Sequence, residues 1–126
     1  MMRLEARFSV DGWDPRTVEG FDGDWVGVAR MSKQFSRGLV GSSVVMFLAS
    51  GQEGSRSYLA AERITGRTDD GRSGSVTVHH GAVEGKPDSA FGLVVPHSGT
   101  DDFAGWSGSA RIEHDDDGAY FVLELD

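Results

Sequence analysis

The sequence predicts an all-β fold, an eight-stranded antiparallel up-and-down β-barrel with little or no helix. Three observations carry this. Short runs alternate between apolar and polar residues, as side chains on opposite faces of a strand require. Turn clusters of Gly, Asp, Ser and Arg separate these runs at regular spacing. No segment of ten or more residues repeats its apolar positions at a period of 3.6. The 18 glycines among 126 residues, roughly twice the usual share of ~7%, are scattered through the strand-like runs, as suits a curved, closed sheet.

The first strand is expected over Met2 to Val10, with Leu4, Ala6, Phe8 and Val10 on one face and Arg3, Glu5, Arg7 and Ser9 on the other. Asp11 to Asp24, with Pro15, three Gly and five acids, reads as a long connection holding a short turn of helix after Asp14 and Pro15. Trp13 and Phe21 are expected to cover a barrel end. Trp25 to Ser36 and Leu39 to Ser50 form the second and third strands, joined at Arg37 and Gly38. The third is apolar on both faces from Val44 to Leu48, so one face should meet the core and the other a neighbouring chain or another layer.

Tyr58 to Thr65 and Ser75 to His80 are strands four and five, a hairpin around the Asp69, Asp70 and Gly71 turn. Strand six is Ala90 to Val95, ended by Pro96. Ser98 to Gly108 opens strand seven, which runs through Ile112; the turn at Asp115 to Gly118 leads to the last strand, Ala119 to Leu125. At this size one domain, residues 1–126, is expected to bury its core without disulfides or metals. A barrel of about eight strands is either filled by its own side chains or holds one small ligand.

Charge and composition narrow the partners. A formal net charge of −8, from 12 Lys plus Arg against 20 Asp plus Glu, repels phosphate backbones, so no nucleic acid is expected. No run approaches the ~20 apolar residues of a helical membrane span, and MMRLEARFSV lacks a signal-like apolar stretch. An untargeted protein with no membrane partner is expected. The absence of Cys fits a cytoplasmic location.

The hairpin also carries the chemistry. Tyr58, Ala60, Glu62 and Ile64 share one face of strand four, and Val76, Val78 and His80 one face of strand five, so a carboxylate and an imidazole sit on apolar faces within diagonal reach. As an acid/base couple, Glu62 and His80 would be the catalytic residues of an isomerase or cyclase-like enzyme, a carboxylate in an apolar cavity having a raised pKa. As ligand contacts, Glu62, Arg63 and His80 would hold the polar end of a small, mainly apolar molecule, with Tyr58, Met46 and Trp106 among the residues lining its cavity. The plainer reading is that Glu62 and His80 hydrogen-bond each other, or Arg30, to satisfy a filled interior. Large apolar residues on outward faces need covering, so a homo-oligomer is expected, and a filled barrel without a ligand would act only through that oligomeric surface.

Other motifs point to nothing. His79 and His80 face opposite sides of one strand, the four histidines include no His-x-His pair, and no metal site is expected. The Asp115 to Asp117 run lacks the spaced acids of a calcium loop. Gly99 to Gly108 fits neither a dinucleotide fingerprint nor a Walker loop and is read as barrel curvature and close strand packing, so no cofactor is expected.

KQFSRGLVGSS at Lys33 to Ser43, AERITGRTDDGRSGSVTVHHG at Ala61 to Gly81 and VVPHSGTDDFAGWSG at Val94 to Gly108 resemble a bacterial family known as domain of unknown function 3224. The resemblance spans nearly the whole chain and implies a barrel like that of allene oxide cyclase, without implying cyclase activity. Glu62 and Arg63 match the family's Glu-Arg pair, His80 matches the His closing its Gly-Arg-Ser-Gly-Ser strand, and Gly99, Thr100 and Gly105 match its Gly-Thr and following Gly. The sequence departs from the family at His97 and Asp101, where the resemblance implies Gly, and at His79, where it implies Gln.

Overall fold

The structure is a computed structural model that describes residues 2–20 and 24–126. Eight strands run in chain order: β1 Met2–Arg16, β2 Gly27–Arg37, β3 Leu39–Ser50, β4 Ser57–Thr68, β5 Ser73–Val83, β6 Lys86–Val94, β7 Gly108–Asp115 and β8 Gly118–Leu125. Each pairs antiparallel with the next, and β8 pairs with β1 to close the barrel. The helical content among the described residues is one short 3-10 turn, Asp101–Phe103, and no helix there is long and apolar enough to cross a membrane.

Alternation decides which side chains face inward. On β4, Ala60, Glu62 and Ile64 are buried while Leu59, Ala61 and Arg63 are exposed. On β5, Val76, Val78 and His80 are buried while His79 is exposed. The core gathers Phe8, Phe35, Leu39, Ile64, Val76, Val78, Phe121 and Leu123, with the rings of Phe8, Phe35 and Phe121 in mutual contact at centroid distances of 5.4 to 6.2 Å. These rings fill the barrel beside Glu62.

Two stretches differ most from the sequence reading; in a smaller third, β5 runs on to Val83 and β6 starts at Lys86 instead of Ala90. Residues 11–16 continue β1 instead of forming a connection with a helical turn: Gly12 to Arg16 pair with Ser32 to Val28 of β2, beyond register shifts at Arg7/Phe8 and Val10/Gly12. Pairing of β1 with β8 stops at Arg7 and Tyr120, so the later part of β1 has one free side, where Pro15 takes its place without leaving a ladder acceptor unmet. Val10, expected beside Phe8 in the core, lies past that point and is half exposed. Of the two aromatics expected over a barrel end, Trp13 packs edge-on against Phe47 at 5.1 Å and Phe21 lies outside the described residues.

The second difference is at strand seven, which starts at Gly108, not Ser98. Residues 95–107 fold over the other barrel end, along the part of β5 that β6 does not reach: Val95 N–H donates to the Thr77 carbonyl and Thr100 N–H to the Ser75 carbonyl. Phe103 is fully buried beneath this cap and stacks on Trp106 at 4.0 Å. Gly74 lets the cap approach, since a Cβ there would lie 2.2 Å from the Thr100 carbonyl oxygen. The segment turns through positive φ at His97 (65°) and Asp101 (53°), the two positions where the resemblance implied Gly. A left-handed backbone explains that implication, and His and Asp are among the side chains that tolerate it.

Candidate functional site

The centre of the barrel holds one polar cluster. Glu62 hangs from the middle of β4, opposite Val78, and His80 from β5, opposite Ala60, so the two meet on the diagonal. His80 Nε2 lies 2.8 Å from Glu62 Oε1. Lys33, from β2, donates to the same oxygen at 2.9 Å, and the Ser43 hydroxyl, from β3, donates to Oε2 at 2.6 Å. Tyr58, one turn of the pleat from Ala60 on β4, brings its hydroxyl within 2.9 Å of His80 Nδ1. Three strands thus converge on the carboxylate of a fourth.

The hydrogen-bond roles follow from the groups present. An ionised carboxylate only accepts, so the imidazole presents Nε2–H to Glu62, and in the neutral ring Nδ1 is left to accept the Tyr58 proton. Burial pushes the Glu62 carboxyl up, but the His80 hydrogen bond, the Lys33 charge and the Ser43 hydroxyl outweigh it and hold the carboxyl below the usual carboxylate range. This corrects the raised pKa expected of a carboxylate in an apolar cavity, because the cavity is not apolar around it. Burial pushes the Lys33 ammonium down against the opposing pull of Glu62. Its Nζ also lies over the rings of Phe8 and Phe121, at 4.1 and 4.8 Å from their centroids, a cation–π arrangement suited to a buried ammonium. Burial, then the Glu62 charge, raises the Tyr58 phenol.

Of the residues expected to act together, Glu62, His80 and Tyr58 are joined by hydrogen bonds and the other three are elsewhere. Arg63 follows Glu62 on the strand and therefore points outward, where it donates to Thr77 Oγ1 and the Ser98 carbonyl. Met46 is on the outer face of β3, beside Leu48 and Leu59. Trp106 belongs to the cap at the opposite end from Tyr58. Arg30 is exposed on the outer face of β2.

Lys33 and Ser43 were missed. The signal for Lys33 was present: it stands between Met31 and Phe35 on the face that includes Ala29, and it is one of two lysines in the chain. A lysine on an apolar face calls for a buried acid. Nothing in the sequence separates Ser43 from Ser42. Among the described residues no three His, Asp or Glu side chains converge as metal ligands.

Above this cluster the barrel opens into a mouth. Phe47 stacks on Tyr58 at 5.3 Å, and beyond it Trp13, Trp25, Pro15 and Val28 surround a hollow of about 530 Å³. Asp24 and Arg56 stand at its rim. A larger hollow of about 740 Å³ lies by the short β6–β7 seam and the cap, where Trp106 lines one wall and Glu124 and Asp126 bring carboxylates.

No curated protein matches the chain. Its fold matches the crystal structure of a protein with unknown function from the DUF3224 family of Shewanella oneidensis MR-1, with a TM-score of 0.77 and 23% identity over 100% of this chain and 96% of that one. The family model described as "Protein of unknown function (DUF3224)" matches residues 4–125, so the chain belongs to that family.

Proposed function

We propose that the protein binds a small, mainly apolar molecule at the barrel mouth, against Trp13, Trp25 and Phe47, and not along the barrel axis. The observation that carries this reading is the hollow of about 530 Å³, in the size range of small-molecule sites. Its two indoles are 55% and 61% exposed. Large aromatic surface left in water at a concave site gains by being covered. Deeper in, Phe8, Phe35 and Phe121 already occupy the space beside Lys33 and Glu62. The polar end of the ligand then belongs to the rim, where Arg56 suits a carboxylate or another acceptor.

One observation favours an acid–base reading: the unbroken hydrogen-bond chain from Tyr58 through His80 to Glu62. Glu62 is wholly enclosed and His80 nearly so. Chemistry on a substrate would thus have to pass through the half-buried Tyr58 hydroxyl.

A thermal-shift screen against small apolar acids, ketones and epoxides tests the binding reading. A ligand at 100 times its Kd adds about 2.7 kcal/mol to stability, a shift of several degrees for a domain of this size. The shift should disappear in Trp13→Ala and Trp25→Ala. A shift that survives both substitutions places the ligand elsewhere and refutes the mouth. Turnover of a hit that Tyr58→Phe abolishes, with binding intact, would instead support the acid–base reading.

A further inference from the structure

The outer wall of the barrel has two unlike sides. On β7, β8 and β1 it is laced with ion pairs: Arg3 with Glu5 and Glu124, Arg7 with Asp115, and Arg111 with Glu113 and Glu124. On β3 to β6 its middle is apolar, flanked by exposed Arg63 and Arg67 on β4 and by Lys86 and Asp88 at the start of β6. Register places Leu48 opposite Leu59, Leu59 opposite Gly81 and Gly81 opposite Phe91, and in the next row Met46 opposite Ala61, Ala61 opposite His79 and His79 opposite Leu93. The Phe91 ring lies over Gly81, 2.7 Å from where a Cβ would stand, and Met46, Leu48, Leu59, His79 and Phe91 surround a shallow apolar hollow of about 320 Å³. Met46 is 53%, Leu59 51% and Phe91 50% exposed.

We propose that this β3–β6 face is the interface of a symmetric dimer with a second copy of the chain. The charge distribution selects that occupant. The sequence holds 20 Asp and Glu, yet β3 to β6 together contain two carboxylates, Glu62, which points into the barrel, and Asp88, near the start of β6. Two copies that each carry a net charge of −8 repel one another at their other, acid-bearing surfaces. This face lets them meet with a single exposed carboxylate per copy, Asp88, at its edge. A two-fold axis sets the same apolar rows against themselves, as an isologous contact requires. Taken with the flanking rows, Val44–Arg63–Thr77 and Ser50–Ser57–Val83, four strands about 4.8 Å apart and seven residues of each at about 3.3 Å give a face of about 440 Å² per copy. Both copies then bury about 900 Å², below the size of stable interfaces and in the range of weak, transient ones, so the dimer is reversible.

Sedimentation equilibrium of the whole chain from about 1 µM to about 300 µM tests this. The expected result is a monomer–dimer equilibrium. Leu59→Glu and Met46→Glu, tested separately, each set like charges face to face and should weaken the dimer at least about 100-fold. Both side chains are half exposed, so both variants should keep the wild-type circular dichroism and melting transition. Val10→Glu, an equally exposed position on β1, should leave the dimer unchanged. A monomer at the highest concentration would overturn the proposal, as would a dimer indifferent to both carboxylates. Retention of the monomer by phosphatidylcholine vesicles, lost in Leu59→Glu, would also overturn it by assigning the face to a lipid surface.

Discussion

Lys33 Nζ and Glu62 Oε1 stand 2.9 Å apart inside the barrel, with side chains 3% and 0% exposed. The partners are unequally supported. Glu62 also accepts from Ser43 and His80, whereas Glu62 is the hydrogen-bond acceptor that the structure gives Lys33. Removing the carboxylate strands a buried cation; removing the cation leaves a carboxylate with two donors. Glu62→Gln should therefore destabilise by about 3–5 kcal/mol and Lys33→Met by less. The double variant Lys33→Met/Glu62→Leu should be better than the sum of the single losses by about 0.5–3 kcal/mol. Chemical denaturation of the variants measures this; equal losses from the two single substitutions would contradict the asymmetry.

Acid should act on the same cluster. Glu62 is held below its ordinary value of 4.5, so the folded chain releases this proton more readily than the unfolded chain. The stability this adds is complete above that ordinary value and is lost as pH falls through the lowered folded value. The stability of Glu62→Gln, lower at neutral pH, should fall less steeply below about pH 4.5 than that of the wild type. Parallel acid limbs in the two proteins would show that other carboxylates account for the decline.

The Tyr58–His80 contact makes a spectroscopic prediction. With Nε2–H directed at Glu62 and Nδ1 accepting from Tyr58, the neutral His80 ring should show a protonated Nε2 and a bare Nδ1 in ¹⁵N NMR. Tyr58→Phe should shift the Nδ1 signal and cost about 1 kcal/mol. A ring with the proton on Nδ1 would reverse the assigned directions.

At the cap, His97 and Asp101 hold left-handed backbone at φ 65° and 53°. Glycine adopts that region without the Cβ conflict, so His97→Gly and Asp101→Gly should each leave stability unchanged or raise it by up to about 1 kcal/mol. Thermal melts of the two variants decide this. A clear loss would mean that the side chains contribute more than their backbone strain removes.

The legibility of this chain divides along the side-chain period. Alternation at 60, 62 and 64 and at 76, 78 and 80 was enough to send Glu62 and His80 inward, and the Asp69–Gly71 turn set the diagonal between them. The same period places Arg63 and Met46 outside. Grouping Arg63 with Glu62 followed sequence adjacency and the resemblance, although neighbours on a strand face apart. Trp106 was grouped by its size, which says nothing about which barrel end a loop covers. The run through Pro15 was hidden because a proline signals a turn unless one side of the strand is free, and the free side of β1 depends on where β8 ends. Lys33 comes from a strand distant in sequence from Glu62, and its partner becomes evident only when the barrel closes.

The most direct test of ligand binding at the mouth uses the three tryptophans. Trp13 and Trp25 line the hollow, while Trp106 is buried with Phe103 at the capped end. In protein labelled with 5-fluorotryptophan, each indole gives its own ¹⁹F resonance, assigned by single substitution. Titration with a ligand from the thermal-shift screen should move the Trp13 and Trp25 resonances saturably and leave that of Trp106 in place. Saturable movement of Trp106 alone, with Trp13 and Trp25 unchanged, would contradict the proposal that the barrel mouth is the binding site.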